Sequence, residues 1–312
     1  MSASASPDQA AAGGIVVFAY SDVGYECLDL LIARRERVRV VFTHEDDPGE
    51  TRWFRSVADL AHRHRLQVRF DEPTRDSEGA RLIQAMAPDL IFSFYYRRMI
   101  PMAVLGAAAR GAFNMHGSLL PRYRGKAPVN WAVLHGETRT GVTLHHMVAK
   151  ADAGDIVDQE PVAIGPHDTA YDVMKRLVPA ARRVLERQLD ALKAGAAPKR
   201  PQDESQATYF GGRRPDDGRI DWRQPARQIV DLVRAVAKPY PGAFSDHAGR
   251  RLMVWSARLA PAGAMGRGGG APGEIVSAKP LIVAAGEGAV ELVETDWAGS
   301  GTASLKPGEV LG

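Results

Sequence analysis

The sequence predicts an α/β protein. A mostly parallel sheet with helices on both faces is followed by a smaller, β-rich barrel domain. Three observations carry that expectation. Apolar runs alternate with helical patterns over roughly the first hundred residues, the signature of strand–helix–strand units. The composition shifts to Ala, Lys, Pro and polar residues over Gly195–Gln206. Beyond it lie short apolar runs punctuated by Gly, Pro and Asp, the pattern of a small barrel.

The elements follow in order. Gly14–Tyr20 is an unbroken apolar run and reads as a buried first strand. Ser21-Asp22-Val23-Gly24 reads as a turn and Glu26–Arg34 as a helix. Val38–Thr43 is the second strand, and Trp53, Val57, Leu60 and Ala61 recur at helical spacing. Leu66–Phe70 is a short strand, Glu78–Ala87 a helix, and Asp89–Tyr95 a further buried strand. Gly111–His116 reads as a strand that leads into a long loop, Gly117–Pro128. Val129–His135 is a short helix. Thr140–Met147 alternates, which suggests a strand with one wet face, and Asp155–Ile164 is another strand. A long helix runs from Asp168 to Lys193, with Thr169 and Asp172 spaced as a capping box. Pro225–Ala237 is a last helix. The β-rich runs are Ala243–Ser245, Leu252–Ala257, Gly273–Ser277, Leu281–Ala284 and Ala289–Val293. The expected organisation is a disordered tail at 1–13, a catalytic domain at 14–195, a linker at 196–206 and a C-terminal domain at 207–312.

Composition excludes several classes. The chain has 312 residues, 45% hydrophobic and 25% charged, which suits one large domain or two ordinary ones and rules out wholesale disorder. Its longest apolar stretches fall far short of the roughly 18 residues that span a membrane. A single cysteine, Cys27, forbids an internal disulfide or a cysteine zinc site and reads as buried helix filler. The first thirteen residues lack the pattern of a secretory signal, so the cytoplasm is the expected compartment. Net charge is +3, a mild excess that suits an anionic small molecule better than nucleic acid. Only Gly24 stands in the first strand–helix turn, so the dinucleotide fingerprint is missing. The glycines 263, 266, 268, 269 and 270 lie in the β-rich part. His44-Glu45-Asp46-Asp47 reads as an acidic loop and no metal is expected. His62 and His64, set among arginines, read as a solvated helix face.

The chemistry concentrates in Phe113-Asn114-Met115-His116-Gly117-Ser118-Leu119-Leu120-Pro121-Arg122-Tyr123-Arg124-Gly125. Asn114 and His116 are two apart on a strand and share one face. They stand at the carboxyl end of the strand, where open α/β sheets bind ligands. An amide can stabilise an oxyanion and an imidazole can move a proton. Taken alone, the pair reads equally as a strand-end hydrogen-bonding pair. Asp152, in Lys150-Ala151-Asp152-Ala153-Gly154-Asp155, could orient the imidazole, with Asp155 as rival. Asn, His and Asp without a nucleophilic Ser or Cys point to acyl transfer onto an amine brought by the substrate. Ser118 reads as a ligand contact or a loop hydroxyl on its own backbone. Arg122 and Arg124 read as anion contacts or as a solvated loop, and Tyr95 and Tyr96 as base-stacking rings or strand-end packing.

These residues also carry a resemblance. Asn-x-His, then Ser-Leu-Leu-Pro-x-Tyr-Arg-Gly, then Asp-Ala-Gly resembles the folate-dependent formyltransferase family, and the similarity extends to Arg234-Ala235-Val236 and Pro239–Phe244. It implies a Rossmann-like catalytic domain and an OB-like barrel. Further likenesses are Phe92–Arg97, Phe42-Thr43-His44 with Pro48-Gly49-Glu50, Ala127–Trp131 and Phe210–Asp217. They point to the branch that formylates UDP-4-amino-4-deoxy-L-arabinose, the formyltransferase part of bifunctional polymyxin-resistance enzymes. This chain would be a stand-alone version. The resemblance implies Asn114, His116 and Asp152 as a catalytic trio and 10-formyltetrahydrofolate as donor. It implies a donor site at Arg98, Met99, Ile100, Lys126, Val148, Ala149, Lys150, Ala151 and Asp152. A nucleotide sugar is the implied partner, with no nucleic acid and no integral membrane contact. The role implied is lipid A modification. Methionyl-tRNA formylation and formylation of another nucleotide-linked amino sugar are the alternatives. The neighbouring carboxylate is expected to raise the His116 pKa.

Overall fold

Every residue of Ile15–Ala19 (β1) is buried, as an unbroken apolar strand covered on both faces must be. The computed structural model describes residues 12–45, 52–265, 270–299 and 304–312. The expected tail over 1–11, Asp46 to Glu50 and the glycines 266, 268 and 269 lie outside the described residues. The chain forms two compact units. The first comprises Met1–Gly125, Thr140–Val162 and Lys175–Phe210; the second comprises Lys126–Arg139, Ala163–Met174 and Gly211–Gly312.

After β1 come α1 (Ser21–Ala33), β2 (Val38–Phe42), α2 (Val57–Arg63), β3 (Val68–Arg69), α3 (Glu78–Met86), β4 (Leu90–Phe94), α4 (Met102–Leu105) and β5 (Ala112–His116). They are followed by β6 (Arg124–Gly125), α5 (Pro128–Leu134), β7 (Arg139–His146), β8 (Ile156–Ala163), α6 (Ala170–Lys193) and β9 (Tyr209–Phe210). The large sheet has the order β3-β2-β1-β4-β5-β7-β8. Strands β3, β2, β1, β4 and β5 pair in parallel, and β7 runs antiparallel to β5.

One face of the sheet presents Val16, Phe18, Val40, Phe42 and Ile91 to Ala80 and Ile83 of α3 and Val104 and Leu105 of α4. Phe18 and Phe42 stack at 4.9 Å, so an aromatic pair joins neighbouring strands as well as burying area. Serine caps start two of the helices: Ser56 accepts the Asp59 N–H at 3.1 Å and Ser77 the Ala80 N–H at 3.2 Å. Thr169 and Asp172 form the capping box, each side chain accepting the other's backbone N–H at 3.1 Å. Cys27 is fully buried in α1.

Two local expectations are corrected. Ser21–Gly24 is not a turn before the helix but its first turn, because the Gly24 N–H already bonds Tyr20 O at 3.1 Å. Strand β7 has no wet face: all six residues from Thr140 to His145 are buried. It lies inside the sheet between β5 and β8, so both faces are covered and alternation no longer reports exposure.

In the second unit, α5 and α7 (Ala226–Val236) stand with β10 (Ala243–His247), β11 (Arg250–Leu259), β12 (Ile275–Ala278), β13 (Leu281–Ala284) and β14 (Ala289–Trp297). The strands form an antiparallel sheet of order β10-β11-β14-β13-β12. The last residues join its two ends: the Leu311 N–H donates to Gly273 O at 2.9 Å and the Gly312 N–H to Asp246 O at 2.8 Å. Asn130 of α5 donates to Ala235 O at 2.8 Å. Arg234 pairs with Asp231 at 2.7 Å, both almost fully buried, and caps Asp168 O at 2.8 Å. Such a pair holds geometry more than it adds stability.

Candidate active site

The register of β5 against β7 sets Asn114 opposite His145 and His116 opposite Thr143. That pairing spans thirty-one residues and brings a second imidazole to the strand end. The Asn114 Nδ2 group lies 3.1 Å from His145 Nε2 and 3.3 Å from Asp152 Oδ1. His145 Nδ1 lies 2.9 Å from His146 O, and its Nε2 lies between the Asn114 amide and Asp152 Oδ1, 3.4 Å from the carboxylate. Asp152 Oδ1 also lies 3.5 Å from His116 Nδ1, and its Oδ2 accepts the Gly125 N–H at 2.9 Å. Asp155, the rival carboxylate, sits beside His146 instead, its main-chain oxygen accepting the His146 N–H at 2.9 Å.

Two glycines make this convergence feasible. Gly125 has φ +97°, and a Cβ there would lie 2.3 Å from Phe210 O across the β6–β9 pair. A Cβ on Gly154 would fall 1.9 Å from His146 O. The turn carrying Asp152 is therefore pressed onto the end of β7. Asp152 itself adopts φ +55°, a left-handed conformation costly for a non-glycine residue.

The loop after His116 is tied down by two hydroxyls, its own Ser118 and Thr143 of β7. Ser118 donates to Arg122 O at 2.6 Å, the backbone role. Thr143 donates to Ser118 O at 2.6 Å and accepts the Leu120 N–H at 3.1 Å. Arg124 is neither solvated nor aimed at a ligand. It is 0% exposed and bonds Gln202, Glu204 and the Tyr209 hydroxyl.

Electrostatics corrects the expected direction for His116. Burial lowers its pKa and outweighs the raising effects of Asp152 and of Tyr123 O, while His145 and Arg124 lower it further. The ring is neutral at pH 7. Its Nε2 lies 2.8 Å from Tyr123 O, which can only accept, so Nε2 bears the hydrogen and Nδ1 the lone pair. Burial opposes ionisation of Asp152, but attraction to His116 and His145 once acid has protonated them, together with the Gly125 N–H, outweighs it and holds the carboxyl far below its usual range.

The residues expected at a donor site fall in three places. Arg98, Met99 and Ile100 follow β4; Arg98 pairs with Glu72, Met99 is 62% exposed and Ile100 packs into the core. Val148, Ala149, Lys150 and Ala151 form the turn into Asp152; Val148 is exposed and Lys150 lies 3.3 Å from Glu204. Lys126 is exposed and opens the second unit. Tyr96 packs at the strand end, stacked on His44 at 4.3 Å and edge-on to Phe18. His62 and His64 are exposed. Among the described residues no group of His, Cys, Asp and Glu is placed to hold a metal ion.

A buried imidazole meets a half-buried amide and a half-buried carboxylate here at a sheet end, and among the described residues no serine or cysteine bonds them. That is the equipment of a group transferase whose nucleophile arrives with the substrate. Residues 15–189 match the model of the formyl transferase family, residues 213–306 match the model of its C-terminal domain, and the chain belongs to that family. It is an enzyme of formyl transfer.

Solved structures share the fold. One is an N-formyltransferase from Helicobacter canadensis in complex with folinic acid and dTDP-3-aminofucose; identity is 17%, coverage 89% of this chain and 98% of that one, and the TM-score 0.67. Another is a 4-N formyltransferase from Francisella tularensis, 21% identical, covering 77% and 95%, with a TM-score of 0.63. A third, HypX from Aquifex aeolicus in complex with tetrahydrofolic acid, is 20% identical, covering 90% of this chain and 44% of that one, with a TM-score of 0.62.

Proposed function

We propose that the chain transfers the formyl group of 10-formyltetrahydrofolate to the 4-amine of UDP-4-amino-4-deoxy-L-arabinose. What supports transfer to an amine is the meeting of the His116 imidazole, the Asp152 carboxylate and the Asn114 amide at one sheet end. The acceptor sugar rests on the sequence resemblance. Another nucleotide-linked amino sugar is the second reading, supported by the dTDP-3-aminofucose complex of the Helicobacter enzyme. Donor binding by Arg98, Met99, Ile100, Lys126 and Val148–Asp152 belongs to the same proposal, and exposed Met99 and Val148 offer apolar surface for a flat ring. So do the domain limits 14–195, 196–206 and 207–312, a cytoplasmic location and a role in lipid A modification.

The amine lone pair attacks the formyl carbon and forms the new C–N bond. One Asn114 amide hydrogen turns from its longer contact, to Asp152, toward the developing oxyanion. His116 Nδ1 takes the proton that the amine nitrogen loses, and the imidazolium then has Asp152 and Tyr123 O as partners for its two N–H groups. The bond to the folate nitrogen breaks, and that nitrogen receives the proton as tetrahydrofolate leaves.

The test is formylation of UDP-4-amino-4-deoxy-L-arabinose, dTDP-linked amino sugars and charged initiator tRNA in parallel, read by mass spectrometry. A formylated arabinose derivative supports the first reading, and a formylated dTDP sugar alone replaces it with the second. Formylated tRNA alone would overturn both.

The loop bearing Arg98 and Met99 supplies a prediction. His44 Nε2 accepts the Arg97 N–H at 3.0 Å. Burial, then Arg97 and Arg98, lower the His44 pKa to about 4, so it is a neutral acceptor at pH 7. His44→Phe keeps the stack on Tyr96 and removes the side-chain acceptor of that N–H. The KM for the formyl donor is expected to rise about tenfold, the scale of one lost hydrogen bond, with kcat less affected. Initial rates at saturating acceptor measure it; an unchanged donor KM refutes it.

A further inference from the structure

We propose that Gln202 is a positioning residue for the reaction, holding the turn of Asp152 so that its carboxylate meets His116. The Gln202 Nε2 group donates to Asp152 O at 2.8 Å and to Gly154 O at 2.6 Å. Its Oε1 accepts from Arg124 Nε at 3.1 Å and from Arg124 Nη2 at 2.7 Å. Both ends of the amide are thereby used, and its orientation is fixed by chemistry: carbonyls take only donors and a guanidinium takes only acceptors.

The arrangement is a closed ring. Arg124 reaches the main chain of Asp152 through Gln202, and the next residue, Gly125, donates its N–H to the Asp152 carboxylate at 2.9 Å. One dipeptide therefore grips Asp152 at both its backbone and its side chain. Arg124 is a firm anchor, fully buried, with Glu204 Oε1 at 2.5 Å and the Tyr209 hydroxyl at 2.6 Å as further partners. The grip has work to do. Asp152 sits in a left-handed conformation, and the turn has no slack on its other side, where Gly154 abuts His146 O. Without Gln202 the two carbonyls lose their shared donor, and the strained residue relaxes toward an ordinary conformation that swings the carboxylate away from His116.

The proposal rests on the reading of His116 and Asp152 as a working pair, and its test separates the two. Histidine side-chain NMR titration follows His116, which faces the ionisable side chains of Asp152 on the turn, His145 on β7 and Arg124 on β6. Asp152→Asn removes the carboxylate charge and is expected to lower the His116 pKa further. Gln202→Met adds no charge and is expected to lower it in the same direction by a smaller amount. Turnover of Gln202→Met should fall on the order of 10-fold to 100-fold, the cost of a displaced reacting group. Gln202→Glu keeps an acceptor for Arg124 while losing both donated bonds, and its kcat is expected to fall likewise in a folded protein.

A His116 that shifts in Asp152→Asn but not in Gln202→Met overturns the positioning role and leaves the pair standing. A His116 that shifts in neither overturns the pair itself. Wild-type kcat in Gln202→Glu also overturns the proposal, since Gln202 would then serve only Arg124.

Discussion

His116→Ala is expected to lower kcat/KM at pH 7 by at least about 100-fold, the usual contribution of a positioned general base. The expectation follows from the neutral state of the ring. Burial keeps the imidazole unprotonated, and its Nδ1 lone pair lies beside an ionised Asp152. The resting site therefore holds a base together with the counter-charge that its protonated form needs. The acid limb of the rate profile in the wild type reports that base, and the variant should lack it. A stability signature accompanies the loss. The folded pKa of His116 is depressed, so the unfolded chain binds a proton first as pH falls through about 6.5. The stability this residue contributes is complete above that value and declines below it. Urea unfolding of His116→Ala should accordingly show a shallower loss between about pH 7 and pH 5 than the wild type. Wild-type turnover in the variant refutes the role of the base. Parallel stability curves refute its buried neutral state.

How far the site could be read from the sequence depended on separation along the chain. Asn114 and His116 were legible because a strand repeats every two residues, so their spacing alone puts them on one face. His145 was not. Its place opposite Asn114 comes from the antiparallel register of β5 and β7, which no local pattern reports. The alternation over Thr140–Met147 is the available signal, and alternation usually means one wet face. The strand lies inside the sheet, and its histidine lies 3.1 Å from the Asn114 amide.

Arg124 departs from both of its sequence readings, anion contact and solvated loop, for a related reason. An arginine in a polar loop looks solvated until Gln202, Glu204 and Tyr209 arrive from some eighty residues away. The direction of the His116 shift failed on magnitude. A sequence shows the neighbouring carboxylate but not the completeness of burial, and burial is the larger effect. The strand–helix alternation of the first unit and the short strands of the second were legible, because each repeats a local period that packing then reinforces.

Asp152→Asn is expected to cost on the order of 10²–10⁴ in kcat, through the base and not through the fold. The amide has the same size, and its oxygen can still accept the Gly125 N–H that now bonds Oδ2 at 2.9 Å. The turn stays held through its carbonyls by Gln202. What disappears is the negative charge 3.5 Å from His116 Nδ1. Burial then acts on the imidazole without its main opponent, and the proton taken from the amine has no counter-charge. The acid limb of the pH–rate profile should move to lower pH while the plateau collapses, a combination that a merely unfolded variant cannot produce. The pH dependence of stability gives a second readout of opposite sense. Asp152 has its carboxyl held below the usual range, so its contribution to stability is present above about pH 4 and is lost as pH falls toward the folded value. The asparagine variant has no such contribution to lose. Its stability should be lower than that of the wild type at pH 7, and the difference should shrink as acid is added. A constant difference from pH 7 to pH 3 would mean that Asp152 is not ionised in the folded enzyme. His116 would then lack the partner that makes it an effective base.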